Sequence, residues 1–445
     1  MLHPPELSRN AKFQTRFDHS EPVPNGATLN KTPFKSEQDR DAKLTELRNL
    51  KMAKSSHRYV RGSTQKFYKC LENTTSDTVP TGPPIWICGD CHVGNLGPIA
   101  NAQGHVEIQI RDFDQTVIGN PAHDLLRLAL SLASAARGSD LPGVATFTII
   151  ESILQGYELA FAPDFDVEAD IETPPQILAA LRASIKANWS SLAKEKIADK
   201  KPTLPMGEKF WPLHKSERAD IKTAAQSSAV HNLVTMLKSR PDEGEVKLLD
   251  AAYWIKGCSS LGNLRYAAVL SVAGKKKKSN DFCLLDFKQA SAPLAPRAKD
   301  SVMPKTDVDR VIEGAKHLSP YLGKRMVKAK ISNTLMFVRE LLPQDLKLDI
   351  EQLNAREAAK VAAYLAAVVG KAHSRQLNPM QRKEWLAELK KQSGSNVEAP
   401  TWLWRTIVEL LGVHEQAYLD HCRRHALLHH KTDVAVAERE NQSSE

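Results

Sequence analysis

Residues 86–95 read WICGDCHVGN, and those ten letters can be spelled in two ways. Cys88-x-x-Cys91-His92 has the form of a c-type haem attachment site, whereas Gly89-Asp90-x-His92-x-x-Asn95 sets a carboxylate and a carboxamide five residues apart. The apolar run Ile85-Trp86-Ile87-Cys88 has the length of a short buried strand, which makes the motif a loop at a strand end. Which spelling the chemistry uses decides how the rest of the chain is read.

The surrounding sequence speaks against haem. Attachment of that type follows export, yet MLHPPELSRNAKFQTRFDHS at the start contains no apolar signal core. No later segment approaches the roughly 18 uncharged apolar residues of a membrane span, so the expectation is a cytoplasmic protein with no membrane partner. Cys70, Cys88, Cys91, Cys258, Cys283 and Cys422 are few and irregularly spaced, which suits a reducing compartment rather than a disulfide framework. Zinc lacks a second CxxC or an HxxxH to complete its ligands. Cys88 and Cys91 are therefore read as small residues packed around a functional turn.

With 445 residues, 42% hydrophobic and 25% charged, the chain has an ordinary globular composition and room for two or three core-forming units. A net charge of +9 favours anionic partners in general. It does not point to nucleic acid, because the densest run, Lys275 to Lys278 in AGKKKKSND, reads as a solvated hairpin tip.

Residues 1–40 read as an N-terminal arm, and 41–70 are helical in composition up to RYVRGS. Leu96 to Ile99 and Val106 to Ile110 form a hairpin that empties into RDFDQTVIGNP. Asn120 and Pro121 then open a helix over 124–137 that closes at Gly138. Residues 144–240 are mainly helical. From about 250 the pattern turns to strands, YWIKGCSSLGNLRYAAVLSV and FCLLDFKQA, followed by a helix with Thr306 and Asp309 as a capping box. TLMFVREL is a further strand, and Asn354 with Glu357 caps a long helix to His373. The fold class is α+β, with helices to about 430 and a disordered tail over 431–445.

Phosphoryl transfer needs a carboxylate to orient or deprotonate an acceptor hydroxyl, plus a carboxylate and an amide oxygen to hold magnesium against nucleotide phosphates. Asp90, Asn95 and Asp112 supply these on two adjacent loops, with Asp90 as the acceptor base and Asn95 and Asp112 as the metal holders. The protein-kinase pattern HRDxxxxN has the same offset from Asp to Asn, and its metal-binding DFG also lies beyond a hairpin. Taken singly each residue is an ordinary turn or cap residue, and it is the ordered set that carries the reading. His92 is expected to brace the loop backbone, and Asp114 to assist a second metal or cap a turn. Asp124 is expected to stabilise its helix N-terminus or to reach back to the loop's backbone amides.

GDCHVGN, RDFDQ and GNPAHDLLRLALSLA resemble the GDxHxxN, DFD and GxPxxDLxRL signatures of aminoglycoside-phosphotransferase-like kinases. They resemble more closely the uncharacterised bacterial family called domain of unknown function 2252. The likeness continues through RYVRGS, GCSSLGNLRYAAVL, LLDFKQA, RVIEGAKHL, FVREL and GKAHSR, over about residues 45–376. It implies a kinase-like two-lobed fold, with ATP and Mg2+ as ligands. Phosphoryl or nucleotidyl transfer would go to an unknown acceptor, either a small molecule or a protein. GCSSLGN, with Gly257, Ser259, Ser260 and Gly262, would be the phosphate-covering loop, although Ser259 stands where the family has a second glycine.

Lys288, centred in LLDFKQA, suits a buried strand only if its ammonium has a partner; the resemblance offers nucleotide phosphates and a helix glutamate, for which Glu313 is available. Kinases place the glycine loop and lysine before the catalytic loop, whereas here they follow it, and a circular permutation reconciles the two orders. The regions would be a catalytic large lobe at 41–245, a nucleotide-binding small lobe at 246–345 and helices completing the large lobe at 346–430. Lys288 should then face Asp112 within about 8 Å, the span of one phosphate and its magnesium. Glu313 should lie near Lys288, and the His373 end of the long helix behind the strand leading to Asp90. The rival expectation is a catalytically silent nucleotide-binding or scaffold protein of the same shape.

Overall fold

The computed structural model describes residues 37–74, 79–138, 141, 143–187, 202–237, 240–258, 261–273, 280–345, 353–391 and 401–442, the last helix by its backbone alone beyond His425. Ser259, Ser260, the lysine run 275–278 and the arm up to residue 36 lie outside the described residues. Every strand pairing in the three sheets is antiparallel, so the architecture is α+β.

The opening loop hangs from β1, Ile85–Ile87, a strand of three buried residues paired with β4, Val117–Gly119. Between them, β2 (Leu96–Ala100) and β3 (Val106–Ile110) form the expected hairpin, in register from Leu96 opposite Ile110 to Ala100 opposite Val106. The hairpin folds the chain back on itself, which brings the loop at 111–116 beside the loop at 88–95.

The largest sheet has the order β5-β6-β7-β8-β10-β9. Its strands are β5 (Phe210–Trp211), β6 (Val246–Trp254), β7 (Arg265–Ala273), β8 (Asn280–Gln289), β9 (Met326–Ile331) and β10 (Thr334–Leu341). Alternation along each strand gives the sheet two unlike faces. Tyr253, Tyr266, Leu270, Leu285, Phe287 and Val338 pack with Ile221, Val230 and Leu233. On the other face Trp254, Ala267, Val269, Leu284 and Leu341 meet Leu204 and Phe210. The same alternation continues that second face into Arg265, Asp286, Lys288, Phe337 and Arg339. Register sets Arg265 and Phe337 on either side of Lys288, and Ala267 and Arg339 on either side of Asp286.

A helical body completes the molecule, built on Ala122–Gly138, Gly143–Leu159, Ala355–Ser374 and Trp402–Gln442. The helices Gly143–Leu159 and Ala355–Ser374 approach so closely that a Cβ at Gly156 would lie 2.1 Å from the Ala363 carbonyl oxygen, which restricts that position to glycine. Asn354 and Glu357 form the expected capping box, and Thr306 accepts from the Asp309 backbone N–H at the head of helix Asp307–Leu318.

Two expectations change. Helices Lys215–Ala225 and Ser228–Thr235 pack on the sheet, so the sheet's covering is supplied from before the expected boundary at 246. An amphipathic helix seats its apolar stripe wherever a matching face is open, and the buried face of a central sheet is the larger one available. The tail expected to be disordered from 431 is helical as far as Gln442, because no Gly or Pro interrupts the chain after Gly412. Among the described residues no helix is long and apolar enough to cross a membrane.

Candidate functional site

The loop at 88–95 is fixed from below by a buried relay. Gly89 has φ +73, and a Cβ there would lie 2.2 Å from the Gln115 carbonyl oxygen, so no other residue fits the turn. The Asp124 carboxylate accepts the backbone N–H of Cys88 at 2.7 Å and of Gly89 at 2.8 Å. Behind it, His373 Nε2 lies 3.2 Å from Asp124, Tyr157 Oη lies 2.9 Å from His373 Nδ1, and Trp385 Nε1 donates to Tyr157 Oη at 3.2 Å. Since the indole can only donate, the Tyr157 hydroxyl donates its own hydrogen bond to Nδ1, and the imidazole donates from Nε2 to Asp124. Gln376, just past the same helix, donates to the Trp86 carbonyl and accepts from the Trp86 N–H. The His373 end of the long helix thus packs behind the strand leading to Asp90.

Asp90 is buried and fully engaged. Arg127 Nε donates to Oδ1 at 2.6 Å, Thr64 Oγ1 donates to Oδ2 at 3.1 Å, and its backbone carbonyl accepts the N–H of His92 and Nδ2 of Asn95. Asn95 spends its amide nitrogen on that carbonyl, which leaves the side-chain oxygen as the atom able to meet a ligand. The Asn95 carbonyl accepts the Arg111 N–H at 2.8 Å, which ties Asn95 to the residue before Asp112. Burial, then the charges of Arg61 and Arg127, push the His92 imidazole well below its ordinary pKa, so it is neutral and holds the loop through its backbone.

Lys288 meets both carboxylates of the neighbouring loop. Its ammonium lies 3.3 Å from each oxygen of Asp112 and is paired with Asp114. Lys288 is 1% exposed, whereas the Asp112 side chain keeps about a third of its surface open, so the cluster opens on the Asp112 side. Burial raises the Asp112 carboxyl, but the Lys288 ammonium, with Arg339 and Arg265, outweighs it and holds the pKa well below the ordinary range. Burial and the Asp112 charge push Asp114 up to about 6, against the pull of Lys288. Asp114 Oδ1 has no hydrogen-bond partner among the described residues. Asp112 and Asp114 are hard oxygen donors of the kind that could hold magnesium, with the Lys288 ammonium in a cation's place between them.

Glu313 is elsewhere. Its carboxylate pairs with Lys316 at 3.1 Å and His317 at 3.4 Å on its own helix, so the expected contact with Lys288 is replaced by Asp112 and Asp114. The helix turns Arg310 toward the site instead. Arg310 donates to the carbonyls of Thr116, Asp114 and Ser291 and pins the loop at 111–116 from outside. Gly257 with φ +102 and Gly262 with φ +113 lie between β6 and β7 in a backbone conformation that favours glycine.

Several residues of the cluster were not singled out in the sequence. Arg265 and Arg339 both bond the fully buried Asp286, at 2.5 Å and 3.1 Å, and depress its carboxyl far below the usual range against the effect of burial. Arg61 packs over Gly94, where a Cβ would lie 2.5 Å from its guanidinium, and its Nε has no partner among the described residues. The reasoning that exposed Lys288, a charge in a strand that must be buried, applies equally to Asp286 in LLDFKQA and Arg339 in FVREL.

The thiols of Cys88 and Cys91 and the Asp124 carboxylate come within 4.8 Å of one another. Both Asp124 oxygens already accept backbone N–H groups, and burial with the neighbouring Cys91 raises the Cys88 thiol well above its ordinary pKa. Cys88 donates to the Asp112 carbonyl at 3.3 Å, so its contacts belong to the packing of the two loops. A family model described as "Uncharacterized protein conserved in bacteria (DUF2252)" matches residues 40–424. Neither the comparison with curated proteins nor that with solved structures gave a match.

Proposed function

The chain belongs to this bacterial family, and from that premise and the site's geometry we propose that it is an ATP- and magnesium-dependent phosphotransferase. The fold on this reading is a kinase-like two-lobed arrangement, circularly permuted, with the nucleotide in the cleft between the sheet and the helical body. One observation carries the reading: Lys288 and Asp112, 176 residues apart in sequence, meet at 3.3 Å. A buried ammonium between two carboxylates carries a desolvation cost, and it can be exchanged for a ligand that needs both signs of charge. Mg-ATP needs both.

Asp112, Asp114 and the Asn95 side-chain oxygen would hold the metal, which when bound neutralises charge on the phosphates. Lys288 would turn from the carboxylates to the phosphates, and Gly257 and Gly262 would let the β6–β7 turn close over them. Arg127 and Thr64 hold the Asp90 carboxylate in one orientation beside the place an acceptor hydroxyl would occupy. That same engagement of both Asp90 oxygens favours a second reading, a nucleotide-binding protein without turnover, because oxygens already accepting from Arg127 and Thr64 are less free to accept from an acceptor hydroxyl.

Mg-ATP at 100 times its Kd should add about 2.7 kcal/mol to the folded state. Asp112→Asn should remove the magnesium-dependent part of that gain while melting as a folded protein. Baseline calorimetric and melting signals for the wild type in saturating Mg-ATP would end the proposal. ATP consumption that disappears in Asp90→Asn while binding persists supports transfer, and binding with no consumption supports the silent reading.

A further inference from the structure

One cation in the cleft has no carboxylate of its own. Lys256 follows β6, directly before Gly257, and its ammonium lies 4.1 Å over the Trp254 ring. Arg265 lies over the same ring at 5.1 Å. Among the described residues no acidic group lies within 4.0 Å of the Lys256 ammonium, whereas Arg265 and Arg339 share Asp286 and Lys288 shares Asp112 and Asp114. The groups that act on Lys256 come from four elements: Arg265 on β7, Asp286 on β8, Arg339 on β10 and Arg111 after β3. Arg339 also donates to the Arg111 carbonyl at 2.7 Å, which ties those two segments together. Arg265 and Arg339 therefore bond the Asp286 carboxylate directly, and that same carboxylate is the acidic group acting on Lys256, while the Arg111 guanidinium donates to the Asp345 carbonyl.

Crowded positive charge of this kind is relieved either by an anion that joins it or by loss of a proton. A neutral ligand would leave the repulsion in place, and a metal ion would increase it. We infer that Lys256 is a second phosphate-binding cation, taking the polyphosphate chain of a nucleotide together with Arg265 and Arg339, across the β6–β7 turn from Lys288. The inference deepens the nucleotide reading above and rests on it for the identity of the ligand.

Burial, then Arg265, Arg339 and Arg111, push the Lys256 ammonium well below its ordinary pKa against the pull of Asp286. An incoming anion reverses that balance, so binding should draw a proton onto Lys256.

Magnesium-free tripolyphosphate, titrated calorimetrically in buffers of different ionisation enthalpy, tests the site without the base or the metal. Lys256→Met keeps the side-chain stem over Trp254 and should bind tripolyphosphate about tenfold more weakly or worse, the loss of one charge-assisted contact. Lys256→Arg should keep the affinity. The part of the proton uptake that belongs to Lys256 should be present in the wild type and absent from both variants, a difference that separates it from any uptake by Asp114. The wild-type measurement needs no variant to fold. Tripolyphosphate affinity and proton uptake unchanged in Lys256→Met, or no tripolyphosphate binding by the wild type, would overturn the inference. Binding of tripolyphosphate but not of Mg-ATP would instead remove the nucleotide reading and leave Lys256 in a site for another polyphosphate.

Discussion

The two walls of the proposed site treat charge in opposite ways. On the helical side Asp124 is closed into a chain through His373, Tyr157 and Trp385, and both of its oxygens accept backbone N–H groups. On the sheet side Lys288 divides itself between two carboxylates, Asp114 Oδ1 has no partner, and Lys256 rests on an indole. The closed relay at Asp124 marks the wall that holds geometry, and shared or unpartnered charge marks the wall to which the proposal assigns a ligand.

The sharpest way to break this contrast is Asp124→Ala. It strands two buried N–H groups and His373 together, and should cost about 4 kcal/mol of stability by urea denaturation, near the upper range for a broken buried network. A loss below about 1 kcal/mol, the worth of one ordinary hydrogen bond, would show the relay to be incidental.

An acid titration comes next in size. Burial depresses His92 well below its ordinary pKa and brings His414 down to about 4, so each contributes stability that is full above its unfolded value of about 6.5. That contribution is lost as pH falls through the folded value, at about 1.4 kcal/mol per pH unit for each group. Thermal unfolding between pH 7 and pH 4 should fall accordingly, and His414→Gln should flatten part of the slope.

Cys88→Ala with Cys91→Ser should cost about 1–2 kcal/mol, as for small buried side chains, and leave nucleotide binding near that of the wild type. Stoichiometric zinc or haem in the purified protein would contradict the packing role.

The smallest effect has the opposite sign. Asp114→Asn removes a carboxyl whose folded pKa, about 6, lies above its unfolded value. Such a group stabilises the fold below the unfolded pKa, and that contribution is lost as pH rises through about 6. The variant without ligand should therefore match or exceed the wild type by about 1 kcal/mol at pH 8, the scale of one relieved repulsion. The advantage should vanish at pH 5, and magnesium-dependent binding should weaken. Destabilisation at pH 8 would place Asp114 with the saturated wall.

Much of this was legible in the letters. Gly89-Asp90 at a strand end, the hairpin to Asp112 and the charge of Lys288 in an apolar strand are local signals, readable because period and turn chemistry act over a few residues. The partners were not legible, because they are set by register. Arg265 meets Asp286 only once β7 and β8 are aligned, and Arg339 joins them only once β10 pairs with β8. Glu313 illustrates the converse error, since a helix offers several faces and composition does not say which one turns inward. The helices at 215–235 carried an apolar stripe in plain view, but nothing in it named the sheet as its seat.

The relay behind the loop also has a history in time. Asp124 and His373 are 249 residues apart. During synthesis the turn at Gly89 therefore emerges long before the histidine that completes its support. Contacts of such range are paid for by closing a large loop and form late in folding. The Cys88 and Gly89 amides should then be among the last to gain protection in a refolding hydrogen-exchange pulse, after those of β7 and β8. A chain halted before residue 373 would carry the motif without the histidine that backs Asp124, so the loop at 88–95 gains its full support only once residue 373 has been made.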